Sequence, residues 1–152
     1  MPRLSAGLLL YRVNEGVVEV LLAHPGGPFW AKKDDGAWSI PKGEYVTGED
    51  PWVAAQREFV EEIGLPVPPG PRIDLGALKQ SSGKIVTAFA MHGDLDIADA
   101  QSNTFELEWP KGSGRVRTFP EVDRVGWFSV AEAKTKLLSG HVPFLDRLLQ
   151  QI

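Results

Sequence analysis

The chain has 152 residues and sets 16 Lys and Arg against 20 Asp and Glu, a net charge of −4. That length suits one domain over residues 1–152, able to bury roughly 70% of its unfolded surface. The acidic balance excludes a protein built for non-specific nucleic-acid binding, and the absence of Cys excludes disulfides, thiolate catalysis and cysteine metal sites.

Residues 4–12 and 17–24 are predicted as strands joined by the turn Val13-Asn14-Glu15-Gly16. The first is apolar on both faces, as a central strand is. Residues 25–36 form a loop rich in Gly, Pro, Lys and Asp that carries Phe29 and Trp30. Residues 37–40 form a short strand stopped by Pro41. The clearest helix is 51–63: Asp50 caps it, Pro51 suits its first turn, Gly64 takes the left-handed position after it, and Pro66 follows.

Strands are predicted at 73–80 and 85–92, around Ser81-Ser82-Gly83-Lys84, followed by a polar loop at 94–102. Segments 104–109 and 116–119 read as a hairpin, and 122–128 as one more strand. Ser129 caps a helix running to about residue 139, with Gly140 ending it. Phe144, Leu145, Leu148, Leu149 and Ile152 then share one helical face. Strands and helices mix without strict βαβ alternation, which predicts an α+β domain with a mixed sheet and helices on its faces. The longest apolar run near the start, residues 6–10, is far short of the ~20 needed to span a bilayer, and no signal-peptide pattern precedes it. A cytoplasmic protein with no membrane partner is the expectation.

The 51–63 helix is two-faced. With about 100° per residue, Trp52, Ala55, Phe59, Val60 and Ile63 share an apolar arc, and Glu58, Glu61 and Glu62 crowd the opposite side. Solvated like-charge neighbours at these spacings cost only ~0.2–0.5 kcal/mol each, so the repulsion alone does not demand a metal. With only three scattered His, any metal here is a hard cation held by oxygen.

The residues around the helix are more specific. Gly43 is followed after five residues by Glu49, and seven residues later by Arg57-Glu58-Phe59-Val60-Glu61-Glu62-Ile63-Gly64-Leu65. This stretch, 43–65, resembles the Nudix box of the Nudix hydrolases. Seven specified positions, each at about 1 in 15 to 1 in 20, give odds on the order of 10⁻⁹ per starting point. Phe59 departs from the usual Ile, Leu or Val, and it lies on the apolar arc, where packing is at stake.

The resemblance implies the Nudix fold, an α–β–α sandwich with a mixed β-sheet, and hydrolysis of a nucleoside diphosphate linked to another moiety by water attack at phosphorus. It implies Mg²⁺, with Mn²⁺ as a substitute, because a polyanionic bridge repels hydroxide until cations neutralise it. By the same match Glu58 and Glu62 are the leading metal ligands. Glu61 is a third, and the Gly43 carbonyl contributes. Glu58 is the first choice as general base and Glu62 its competitor. Arg57 orients a neighbouring carboxylate, and Glu49 braces the loop–helix unit through Arg57 or backbone amides.

A further acid from a later loop is assigned to Glu121, ahead of Glu106 and Glu108. Lys42 is placed on a substrate phosphate, and Trp30 is the base-contact candidate. Lys32, Lys33, Lys79, Lys84, Lys111, Arg115 and Arg117 form an undivided set of loop and strand-end cations. Pro41-Lys42-Gly43 is read as ending a strand, with Gly43 chosen for unusual dihedrals. His24 is read as structural ahead of a phosphate donor.

Residues 38–43, Trp-Ser-Ile-Pro-Lys-Gly, are similar to the matching stretch of the family's diadenosine-polyphosphate hydrolases. A nucleoside triphosphate or a diadenosine polyphosphate such as diadenosine tetraphosphate is therefore the expected substrate, with an ADP-ribose or sugar-nucleotide hydrolase as the alternative. A non-catalytic Nudix-like nucleotide sensor is the reading outside enzymology. No stable nucleic-acid partner is expected, and a homodimer is allowed.

Overall fold

The structure is a computed structural model that describes residues 2–152. Its elements in chain order are β1 (Leu4–Asn14), β2 (Val17–Pro25), β3 (Lys42–Tyr45), α1 (Pro51–Ile63), β4 (Arg72–Lys79) and β5 (Ile85–His92), then β6 (Thr104–Glu108), β7 (Val116–Pro120), β8 (Val122–Ser129), α2 (Val130–Lys136) and α3 (Val142–Gln151). Short 3₁₀ turns stand at Ile97–Asp99 and Ser139–His141.

The main sheet runs β4-β5-β1-β2-β8, with β3 added to β1. Only β1 and β5 are parallel, so the sheet is mixed. β1 changes antiparallel partner along its length: Leu4 to Gly7 pair with β3, and Tyr11 to Asn14 pair with β2. Its side chains alternate between two cores, as a central strand's must. Ala6, Leu8 and Leu10 face α1 with Ala55, Phe59 and Ile63, while Leu9 and Tyr11 face α2 and α3 with Leu137, Phe144 and Leu148. The α–β–α sandwich is thus in place. β6 and β7 form a separate two-stranded sheet beside it.

The caps of α1 are those its sequence calls for. Asp50 accepts from the Trp52 N–H at 2.9 Å, and Gly64 sits at φ 76° with its N–H on the Val60 carbonyl at 2.8 Å. Three local expectations shift. Residues 37–40 form no ladder. Trp38 and Ser39 make single bridges to Leu137 and Ala23, and the strand starts beyond Pro41, whose carbonyl accepts from the Leu8 N–H at 3.1 Å. α2 stops at Lys136 and not near 139, because buried Leu137 turns extended to pair with Trp38, and the Leu138 N–H bonds the Trp38 carbonyl at 2.8 Å. The 94–102 loop is only partly polar, since Leu95, Ile97 and Ala100 pack on the α1-side core.

Candidate active site

Helix α1 lies on the sheet by its apolar face, and this holds the opposite face still beside β3. Phe59 is fully buried, so the ring at the departing position serves packing, as its place on the arc requires. Two helix positions before it, Arg57 pairs with Glu49 and reaches Glu58 at 3.6 Å. Glu49 therefore braces the segment entering the helix through Arg57.

Gly43 lies within β3, opposite Ala6 of β1, with no left-handed dihedral. This corrects both parts of the sequence reading: Lys42 and Gly43 open a strand, and dihedral freedom is not what demands glycine. The Glu58 carboxyl lies over the Gly43 Cα, in the space a Cβ would fill. A glycine here lets a helix carboxylate sit directly against a strand. One helical turn further on, Glu62 accepts the Lys42 N–H at 3.0 Å. Two carboxyls one helical turn apart are thus docked against β3 through the same two residues.

Both carboxyls are pushed well above the usual range, to about 7 each. Desolvation by burial is the main cause for both. Glu61 adds negative charge beside Glu58, and Glu58 adds it beside Glu62, while Arg57 and Lys42 oppose the shift. Glu121 contributes negative potential at both. It reaches them because the β7–β8 corner is pinned on each side: its N–H bonds the Asn103 carbonyl at 2.8 Å, and its carbonyl accepts from Gly26 at 2.9 Å. The structure therefore brings Glu58, Glu61, Glu62 and Glu121 to one locality from two remote parts of the chain. Glu106 and Glu108 are exposed on the separate hairpin.

Among the described residues, no three carboxylates or imidazoles stand close enough to close a shell around one ion. The donor set nevertheless fits a hard cation. Carboxyls whose proton affinity is raised chiefly by burial, and further by neighbouring acids, gain most from a divalent charge. Mg²⁺ needs only one or two of them, because it keeps several waters.

The Lys42 N–H holds Glu62, but its side chain, in register with Gly7, lies on the α2/α3 face of the sheet, where it lines a cleft of about 400 Å³. Burial pushes its ammonium below the ordinary range, and Lys84 adds to the effect, while Glu62 opposes it. Arg3, Lys79 and Lys84 line the same cleft, together with His141. Of the undivided set of loop cations, the fold therefore selects Lys79 and Lys84. Arg3 and His141 escaped sequence reasoning. The signal that finds Arg3 is the parallel pairing of Leu4 with Ile85, which sets the residues before β1 and β5 side by side.

Trp30 stays in the 26–36 loop with Lys33 Nζ 5.0 Å from its ring centroid. His24 is fully buried and structural: Nε2 donates to the Lys33 carbonyl at 2.6 Å, and Nδ1 meets the Asp123 carboxylate at 2.7 Å. Trp52, Trp127 and Phe128 pack on the two cores, half-buried.

A family model described as NUDIX domain matches residues 1–148. An RNA pyrophosphohydrolase of Rhodospirillum rubrum is 46% identical over 65 residues, 41% of this chain and 38% of the relative. A bis(5′-nucleosyl)-tetraphosphatase (asymmetrical) of Caenorhabditis elegans is 39% identical over 61 residues, 40% of each chain. The chain thus aligns with about two fifths of these relatives' length. Among solved structures, the NUDIX domain of Shewanella oneidensis NrtR, complexed with ADP ribose, superposes with a TM-score of 0.68 at 15% identity, over 99% of this chain and 88% of that one. A C. elegans Ap4A hydrolase binary complex gives 0.64 at 22% identity, over 97% and 96%.

Proposed function

This chain belongs to the Nudix family, and from that premise we propose that it hydrolyses phosphoric anhydride bonds, as a Mg²⁺-dependent pyrophosphohydrolase of nucleoside polyphosphates. The observation that carries this is the pair Glu58 and Glu62, docked against β3 one helical turn apart, with Glu61 and Glu121 in the same locality.

In this reading Glu58 and Glu62 hold the ion, with Glu61 and Glu121 nearby as further oxygen donors and the Gly43 carbonyl at the strand. The bound ion supplies charge neutralisation of the diphosphate and a more acidic water. Glu58 is the proposed general base, taking a proton from the attacking water. Arg57 keeps the Glu58 carboxyl turned toward β3, and Glu49 holds Arg57. Trp30 remains the proposed base contact.

The substrate class rests on less. Segments of the chain are similar to an RNA pyrophosphohydrolase and to a bis(5′-nucleosyl)-tetraphosphatase, and the second name specifies a chain of four phosphates. Nucleoside triphosphates and diadenosine tetraphosphate are the proposed substrates. The protein is proposed to work in the cytoplasm on small nucleotides.

A nucleotide panel in ¹⁸O-labelled water, with Mg²⁺ and with EDTA, tests the proposal. It predicts one labelled phosphate product per turnover and loss of turnover in EDTA. Ligands that raise the melting temperature yet stay intact would instead make the chain a sensor.

A further inference from the structure

The sheet has a second side, and cations collect on it. In β1, Leu9 and Tyr11 face α2 and α3, so Ser5 and Gly7 of the same strand face that way too. Lys42 stands in register with Gly7, and Glu44 and Val86 stand in register with Ser5. Their side chains therefore lie on the side of the sheet away from α1. There Lys42 and Val86 line the cleft of about 400 Å³, together with Arg3, Lys79, Lys84 and the turn Ser139–His141. In a chain of net charge −4, four cations meet in one hollow. One acid stands against them: Glu44 lies 3.9 Å from both Arg3 and Lys84, too far for hydrogen bonds. None of Glu58, Glu61, Glu62 and Glu121 lines the cleft, and no Phe, Tyr or Trp does, so it offers a base no stacking platform.

The cleft is built and not merely a gap between side chains. Its wall, the 3₁₀ turn Ser139–His141, is clasped to the β4–β5 hairpin by Gln80, whose side-chain amide donates to the Gly140 carbonyl at 3.1 Å. A Cβ on residue 140 would overlap that amide. Unpaired polar atoms of the interior gather here as well. Among the described residues, two buried side-chain polar atoms lack a hydrogen-bond partner, Ser5 Oγ and His141 Nδ1, and each residue is 1% exposed. Ser5 adjoins Val86 of the cleft, and His141 is on its wall. A buried polar atom left unpaired costs about 1–3 kcal/mol unless a ligand or water satisfies it. Burial, with Lys42 and Lys84 nearby, pushes the His141 imidazole down to about 3, so it stays neutral and keeps one N–H donor.

We propose that this cleft is a second ligand site, which binds a bare oxyanion of the phosphate class, inorganic phosphate or pyrophosphate, apart from the box acids. A tetrahedral oxyanion presents acceptors on every side. That suits donors converging from the N-terminal segment, β3, the β4–β5 hairpin and the 139–141 turn. A carboxylate, with two oxygens in one plane, leaves most of them unmet. The occupant meets the box through one residue, because Lys42 has its side chain in the cleft and its N–H on Glu62. The site involves no hydrolysis, so it stands or falls independently of the pyrophosphohydrolase reading.

Calorimetry in EDTA tests it, with pyrophosphate and with inorganic phosphate as probes. Wild type is compared with Lys79→Gln, with Lys79→Gln/Lys84→Gln, and with Lys111→Gln/Arg115→Gln, which removes two cations from the tip of the β6–β7 hairpin. One anion per wild-type chain is expected. Its Kd rises about tenfold or more in the double cleft variant, rises less in the single one, and stays within about twofold in the hairpin variant. Lys79 is exposed, so its single variant keeps the comparison valid if the double variant folds poorly. Either anion bound in this pattern supports the site, and the tighter of the two names its occupant.

Unchanged affinity in both cleft variants overturns the assignment, as does the absence of saturable binding of either anion by wild type at millimolar concentration. An equal loss in the hairpin variant overturns it too, because net charge and not this cleft then sets the affinity.

Discussion

At the scale of single residues, the site depends on how closely a side chain can approach a backbone. Glu58 reaches its place only because residue 43 has no Cβ. Gly43→Ala should therefore displace the carboxyl without altering β3, whose backbone is ordinary there. A shift near 1 Å at a reacting group costs on the order of 100-fold in rate. Turnover is expected to fall by that order while the melting temperature moves little, and unfolding scans beside initial rates check both. Glu58→Gln and Glu62→Gln each remove a charge from the proposed metal site. Each should lower kcat by at least ~100-fold, and near-normal rates in both would remove them from the mechanism. The acids and Arg57 were legible in the sequence because box spacing on a helix fixes which face they share. The reason for Gly43 was not, because it lies in a contact between residues 43 and 58 that only the packing of α1 on β3 creates.

At the scale of elements, α1 is the member whose ends the sequence defined best, since both caps are local. Asp50 and Gly64 act within one turn of the helix they close. Gly64 has a second duty, because a Cβ there would meet the Gln101 backbone, and the Gln101 N–H bonds the Ile63 carbonyl at 2.8 Å. Gly64→Ala combines a left-handed residue with that collision. It is expected to destabilise the fold by about 2 kcal/mol or more, measurable by urea unfolding. The elements that moved from expectation did so for non-local reasons. α2 ended early because Leu137 pairs with Trp38, a partner about a hundred residues away. The strand after the 25–36 loop began late because β1 offers its free edge to residues 42–45 and not to 37–40.

At the scale of the whole molecule, the sheet brings three regions to one end: the box, the β7–β8 corner with Glu121, and the β4–β5 hairpin with its lysines. Composition hid the third of these, since a net acidic chain gives no sign that four of its cations share a cleft. Topology made it, through the parallel register that sets Arg3 against Ile85, with the Ile85 N–H on the Arg3 carbonyl at 2.9 Å.

The crowding of acids also has a consequence for global stability. Glu58 and Glu62 bind protons up to about pH 7 when folded, against an ordinary value of 4.5. Between those limits the folded state holds more protons than the unfolded one, so the metal-free protein loses stability as pH rises from 4.5 to 7. Glu62→Gln keeps an acceptor for the Lys42 N–H and carries no charge. It should reduce that loss by about 2 kcal/mol, seen as a higher melting temperature than wild type at pH 8 in EDTA. Millimolar Mg²⁺ should stabilise wild type at pH 8 and leave the variant nearly unmoved.

The central claim is that Glu58 and Glu62 seat a divalent ion beside β3. Anomalous diffraction from crystals grown with Mn²⁺ and a non-hydrolysable adenosine triphosphate analogue tests it most directly. The account predicts a manganese peak bonded to oxygens of Glu58 and Glu62, with a phosphate of the analogue bound to the same ion. An ordered nucleotide elsewhere on the protein, with no peak at these two side chains, would contradict it.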